Sequence, residues 1–127
     1  VVYKKNQIKM TVKPVRIDNT IIISEIAETE KEQIKGLSDR KSLGEYAGML
    51  FVFDKEDKHN IWMKDMNFSI DIAWLDKNKK IIYIMQNVSP DTYPQSFSSP
   101  TNSLYVLETN AGFFEKRNIE VGDSVNF

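Results

Sequence analysis

Residues 48–76 read GMLFVF, then a charged stretch, then IWMKDMNFSIDIAWLD. Apolar runs bounded by charged turns belong to buried strands. The segment holds both tryptophans, three of the five methionines and three of the seven phenylalanines, so the core has to form around it. Lys64, Asp65, Asp71 and Asp76 lie within it. A charge embedded in such a run is either paired for solvation or part of a site.

The flanking sequence supplies mostly strands. Residues 1–13 alternate weakly and carry Lys4, Lys5, Lys9 and Lys13, which reads as a partly ordered lead-in with lysines suited to an edge strand. Pro14 is expected to interrupt it, and a single β-rich domain is expected over 14–127. Two β-branched runs, residues 15–17 and 20–27, flank Asp18-Asn19, the pattern of a hairpin with a two-residue loop. Thr29-Glu30-Lys31-Glu32 is a capping box and Gly36 a left-handed stop, which bounds a short helix at about 29–36 with Ile34 and Leu37 as inward anchors. Residues 38–46 read as a polar loop around Leu43 and Tyr46.

Residues 47–53, 61–66, 70–76, 81–88, 104–109 and 124–127 read as strands. Alternation puts Ile70, Ile72 and Trp74 on one face and Asp71, Ala73 and Leu75 on the other. Asn110 suits the N-cap of a second short helix, 111–117, anchored by Phe113 and Phe114. Residues 89–103 hold three of the four prolines and five serines. A loop of this length in a small domain is either a crossover or a lid or binding surface. The order of elements predicts a mainly β fold, a compact antiparallel β-sandwich or partly closed barrel with two short helices.

Composition removes several chemistries. There is no cysteine, which excludes disulfides, thiol catalysis and thiolate metal sites. His59 is the only histidine, so a metal site with several His ligands is excluded, and His59 reads as a solvated loop residue. Asp54, Glu56 and Asp57 lack the spacing, glycine and distal glutamate of a calcium loop. Seventeen basic and eighteen acidic side chains leave a net charge of −1, so nucleic-acid binding driven by net charge is not expected. No stretch reaches the roughly 18 apolar residues of a membrane span. The sequence begins at Val1, as expected of a trimmed or processed chain. No phosphate loop, nucleophile elbow or zinc-protease motif occurs.

Six residues stand out as site candidates. Lys64 and Asp71 are expected on adjacent strands, as a buried ion pair or as a polar site. Glu108 alternates with Leu104 and Val106, so it should face the core with a raised pKa or a cationic partner, Arg40 or Lys64. Trp62 shares a face with Lys64 and is open to a ligand, whereas Trp74 belongs to the core. Tyr93, with Phe97, can close over the same surface. Asp123, after Gly122, reads as a turn residue.

The blocks GMLFVF at 48–53, WMKDM at 62–66, IDIAW at 70–74, the Ser-Pro and Tyr-Pro loop at 89–94, YVLETNAG at 105–112 and IEVGD at 119–123 resemble the family called domain of unknown function 192. The resemblance covers roughly residues 14–127. It implies a small, mainly β, sandwich-like fold, and an extracytoplasmic domain or one anchored through a removed N-terminal segment. It implies no established activity. Two positions depart from the family's commonest pattern: Asp65 stands where Asn is frequent, and Ser69 where Pro is frequent.

Three functional expectations follow. The first is a non-enzymatic binding or accessory domain at the cell envelope, taking a small molecule or envelope component at Arg40, Trp62, Lys64, Asp71, Tyr93 and Glu108. The second is a carboxylate-dependent hydrolase of a saccharide-like substrate, with Asp71 and Glu108 facing one cleft. The third is an interaction module using the 89–103 loop. The chain is expected to act as a monomer, without metal or cofactor.

Overall fold

A computed structural model describes residues 10–127, so the first nine residues of the expected lead-in lie outside the described residues. The hairpin forms as expected: β1 (Val12–Ile17) pairs antiparallel with β2 (Thr20–Ala27) across Asp18-Asn19, with Asp18 at φ 52°. Pro14 does not interrupt β1 but sits inside it. The backbone groups of Arg16 point outward and bond to Asn126, so the Pro14 nitrogen, two residues earlier, faces the same outer edge. An edge strand tolerates proline on that side.

The remaining strands are β3 (Ala47–Asp57), β4 (Ile61–Trp62), β5 (Ile70–Leu75), β6 (Ile81–Val88), β7 (Ser96–Phe97) and β8 (Ser103–Asn110). Two short helices interrupt them, α1 (Glu30–Lys35) and α2 (Phe113–Lys116). Six strands form one sheet in the order β1-β2-β3-β8-β5-β6. One pair, β2 with β3, is parallel, because α1 and its loops carry the chain from one end of β2 back to the start of β3. The sheet is not closed into a barrel. The C-terminal segment bonds both to β1, through Asn126, and to the turn before β6, through Asp123 and Val125.

Both faces of the sheet are covered. One face packs Val15, Ile17, Ile22, Leu50, Ala73, Leu75 and Leu107 against Phe113 and Phe114 of α2 and against Ile119 and Val125. The other packs Met49, Phe51, Ile70, Ile72, Trp74 and Val106 under Leu37, Ile61 and Met63. The segregation of Ile70, Ile72 and Trp74 from Ala73 and Leu75 follows the alternation in the sequence. At Gly48 the neighbouring strands come so close that a Cβ would lie 2.8 Å from the Glu108 carbonyl oxygen and 2.9 Å from Ile22 Cγ2.

Four local readings need correction. The strand expected at 61–66 ends after Trp62, because Met63 to Met66 turn and Asp65 adopts φ 57°, a conformation that Asn and Asp reach more easily than most residues. β4 therefore leaves the main sheet and pairs with β7 in a two-stranded ribbon. Ile34 is 70% exposed, and α1 docks instead through Gln33, whose Nε2 donates to Val52 O at 2.8 Å and Ala27 O at 3.2 Å. Gly36 ends α1 at φ 48°, ψ −131°, outside the left-handed helical region but equally suited to glycine.

Asn110 does not cap α2. It is the last residue of β8, and its amide donates to Leu43 O and Gly44 O at 2.8 and 3.1 Å. The N-cap position of α2 is Gly112, which has no side chain to offer. Asp71 supplies the acceptor from another strand: its Oδ2 accepts from Phe114 N–H at 3.1 Å and its Oδ1 from Asn87 N–H at 2.9 Å. One buried carboxylate thus ties β5 to both β6 and α2. Asp71→Asn keeps the shape but turns an amide donor toward one of those N–H groups, and should cost about 1–3 kcal/mol. Denaturant unfolding measures this; a loss below about 0.5 kcal/mol would contradict the assigned role.

Candidate functional site

A cleft of about 290 Å³ opens on the face that carries Met49, Ile72 and Val106. It lies between α1 and β4. The capping box fixes one wall: Glu32 N–H donates to Thr29 Oγ1, and Glu32 Oε1 accepts from the N–H groups of Thr29 and Glu28. Those backbone donors, Thr29 first, hold the Glu32 carboxyl below its ordinary pKa. From this wall Ile34 and Leu37 face the cleft. Phe51 and Phe53 of β3 stack with centroids 6.2 Å apart along a second side. Ile61, Trp62 and Met66 make the opposite side. One end is laced shut where Ser38 Oγ donates to Lys64 O, Asp39 N–H to Asp65 O and Asn67 Nδ2 to Arg40 O.

Glu108 reaches this cleft from β8. It pairs across the sheet with Met49 and Ile72, and it is 4% exposed. Among the described residues its carboxyl has no ion pair. Glu108 is one of the residues that line the cleft. Loss of hydration on burial pushes this carboxyl up from the ordinary 4.5 to about 8. Glu108 is thus largely protonated at neutral pH, a neutral donor and acceptor in an apolar cleft.

The six candidate residues divide into three groups. Glu108 and Trp62 line the cleft together. Tyr93 and Lys64 stand beside Trp62: the Tyr93 ring lies 5.3 Å from it and the Lys64 ammonium 5.6 Å. Trp62 is 46% exposed, as an open aromatic rim requires. Asp71 and Arg40 fall elsewhere. Lys64 and Asp71 are not neighbours on adjacent strands, since Lys64 lies in the turn after β4 and Asp71 is saturated on the opposite face of the sheet. Arg40 forms a two-pronged ion pair with Glu25. Neither expected cation meets Glu108.

The placement of Asp71 and Glu108 on opposite faces also removes the carboxylate-pair chemistry expected of a hydrolase. Ile72, not Asp71, is the residue of β5 opposite Glu108. Two acids on different sides of a sheet cannot flank one bond. His59 is not merely a solvated loop residue. Its ring stacks on Phe53 at 3.6 Å, and its carbonyl accepts from Trp74 Nε1–H at 2.9 Å. Among the described residues no three His, Asp or Glu side chains converge as metal ligands, and no helix is long and apolar enough to cross a membrane. The sequence reading missed the cleft walls, Ile34, Phe53 and Met66, although a lone isoleucine on an otherwise polar helix was their one visible sign.

A family profile described as uncharacterized ACR, domain of unknown function 192, matches residues 13–127. A crystal structure from Novosphingobium aromaticivorans, of a protein of unknown function, is 27% identical with a TM-score of 0.89. The match covers 100% of this chain and 91% of that one. A second, from Sinorhizobium meliloti, provisionally described as a transcription regulator, is 24% identical with a TM-score of 0.90, over 94% and 96% of the two chains. At that identity the likeness speaks for the fold alone. No curated protein matches the chain.

The buried carboxyl leaves a thermodynamic trace. Between pH 4.5 and about 8 the folded chain holds a proton on Glu108 that the unfolded chain has lost. Stability contributed at this site therefore falls as pH rises through that window. Glu108→Gln carries no such penalty, so its melting temperature should gain on the parent protein steadily from pH 5 to pH 8, by several degrees, on the order of one to a few kcal/mol. Parallel melting curves across the window would contradict the raised pKa.

Proposed function

The chain belongs to the family called domain of unknown function 192, and from that premise we propose that this domain binds a small, mainly apolar molecule in the cleft between α1 and β4. The observation that carries the reading is Glu108: a residue of the cleft lining whose carboxyl is buried, without an ion pair among the described residues. Burying such a group costs stability. A fold retains that cost most readily where the group has a task. Apolar and aromatic walls with a few polar groups among them, here Glu30, Gln33, Lys35, Ser38, Asn60 and Glu108, are the usual composition of a small-molecule site.

The rim supports the same reading. Trp62 and Tyr93 present exposed rings on β4 and on the proline-rich loop, joined by the β4–β7 ribbon. A ligand entering the cleft passes Trp62 and Ile34, both exposed apolar side chains that the fold itself leaves uncovered. The two tryptophans make the event observable, because Trp74 is fully buried and Trp62 is not.

A screen of small aromatic and aliphatic compounds by amide NMR tests the reading. Binders should shift the signals of Gly36, Leu37, Ile61 and Trp62 together. Trp62→Ala should weaken them by about tenfold with the fold intact, as expected of a half-exposed aromatic contact. Shifts confined to other surfaces, or a Trp62→Ala variant that binds unchanged, would overturn the assignment.

A further inference from the structure

The charges around the cleft narrow the ligand class. Among the described residues, the charged side chains lining it besides Glu108 are Glu30 and Lys35, both on α1, and Lys35 is already paired with Asp39 at 3.3 Å. The cross-strand neighbours of Glu108, Met49 and Ile72, carry no charge. The nearby cations that the sequence offered are engaged: Arg40 with Glu25, and Lys64 against the Trp62 ring. An anionic ligand would lie beside Glu30 and would find no unpaired cation in the described lining, since Lys35 is bound to Asp39. A wholly apolar one would leave Glu108 without a partner, at the desolvation cost of a buried polar group.

The aromatic walls favour the same sign of charge. Phe51, Phe53 and Trp62 line the cleft, and aromatic side chains attract cations to their ring faces, as the Lys64 ammonium 5.6 Å from the Trp62 ring illustrates. We propose that the cleft takes a small organic ammonium ion, with its charged end on Glu108 and an aromatic or aliphatic body along Phe51, Phe53 and Trp62. This inference rests on the binding reading above and specifies its ligand. The volume, about 290 Å³, is at the small end for ligand sites and suits a monoamine rather than a peptide.

The protonation balance of the event is simple. At neutral pH the free protein holds a proton on Glu108, and the amine arrives as its ammonium ion. On binding, the Glu108 proton passes to solvent, and a carboxylate–ammonium pair forms in the cleft. Affinity for the amine therefore rises with pH from neutrality through about 8. A neutral isostere of the same shape shows no such rise.

Isothermal titration calorimetry with the full chain separates the cases, using phenethylamine and 2-phenylethanol. Each is titrated in two buffers of different ionisation enthalpy. The expected result is that the amine binds about tenfold or more tighter than the alcohol, and that it releases a fraction approaching one proton at pH 7. Glu108→Gln should remove about tenfold or more of the amine affinity while leaving the alcohol within about twofold. Removing the acid lifts a burial cost, so this variant is expected to fold, and the proton-release measurement needs no variant. If the two compounds bind equally, without proton release and without sensitivity to Glu108, the ammonium assignment is wrong and the cleft stands. If neither compound binds, the ammonium assignment fails, and the NMR screen then decides separately whether the cleft binds anything.

Discussion

A strand covered on both faces has no water to which it can hand its charges. That constraint governs the centre of this fold, where all of β5 is buried and β8 lies between it and β3. Two carboxyls sit there, Asp71 and Glu108, both essentially inaccessible to bulk water and on opposite faces. Each has to be solvated by protein or to give up its charge. The fold takes the first route on one face and the second on the other.

Asp71 shows the first route. A helix of four residues with glycine at its N-cap has orphan N–H groups and no side chain of its own to satisfy them. The carboxylate of a neighbouring strand accepts from one of them, and from Asn87 as well. Its two oxygens are satisfied by backbone N–H groups, and the bonds lock α2 against the sheet. Glu108 shows the second route. Its neighbours across the sheet are Met49 and Ile72, which offer nothing to a charge, so its proton is retained and its pKa raised. What distinguishes the two acids is their surroundings rather than their depth, and this is why one reads as structure and the other as a site.

The sequence carried much of the fold and less of the site. Period-two alternation from Ile70 to Leu75 assigned each side chain to its face, and the Asp18-Asn19 turn and the Thr29 capping box were legible because each depends on residues close in sequence. The same logic placed Glu108 toward a core face and foresaw either a raised pKa or a cation. The failures came where long-range packing decides. The run from Ile61 to Met66 looks like a strand, but the chain turns at Asp65, whose carbonyl accepts from Asp39 N–H. That turn separates Lys64 from Asp71. Ile34 looked like an anchor because it is apolar, yet helix phase gives the inward position to Gln33, whose amide finds two strand carbonyls. Asn110 has the chemistry of a cap, and the strand simply runs one residue too far for it to serve.

The assignment of the cleft depends on the state of one carboxyl, that of Glu108. Side-chain carbon NMR of glutamate-labelled protein follows it directly, with Glu108→Gln assigning the signal. The account predicts that the Glu108 carboxyl carbon titrates with a midpoint near 8, well apart from the other glutamates. A midpoint near the ordinary 4.5 would mean that the group is hydrated or ion-paired, and the cleft would lose the feature on which its assignment rests.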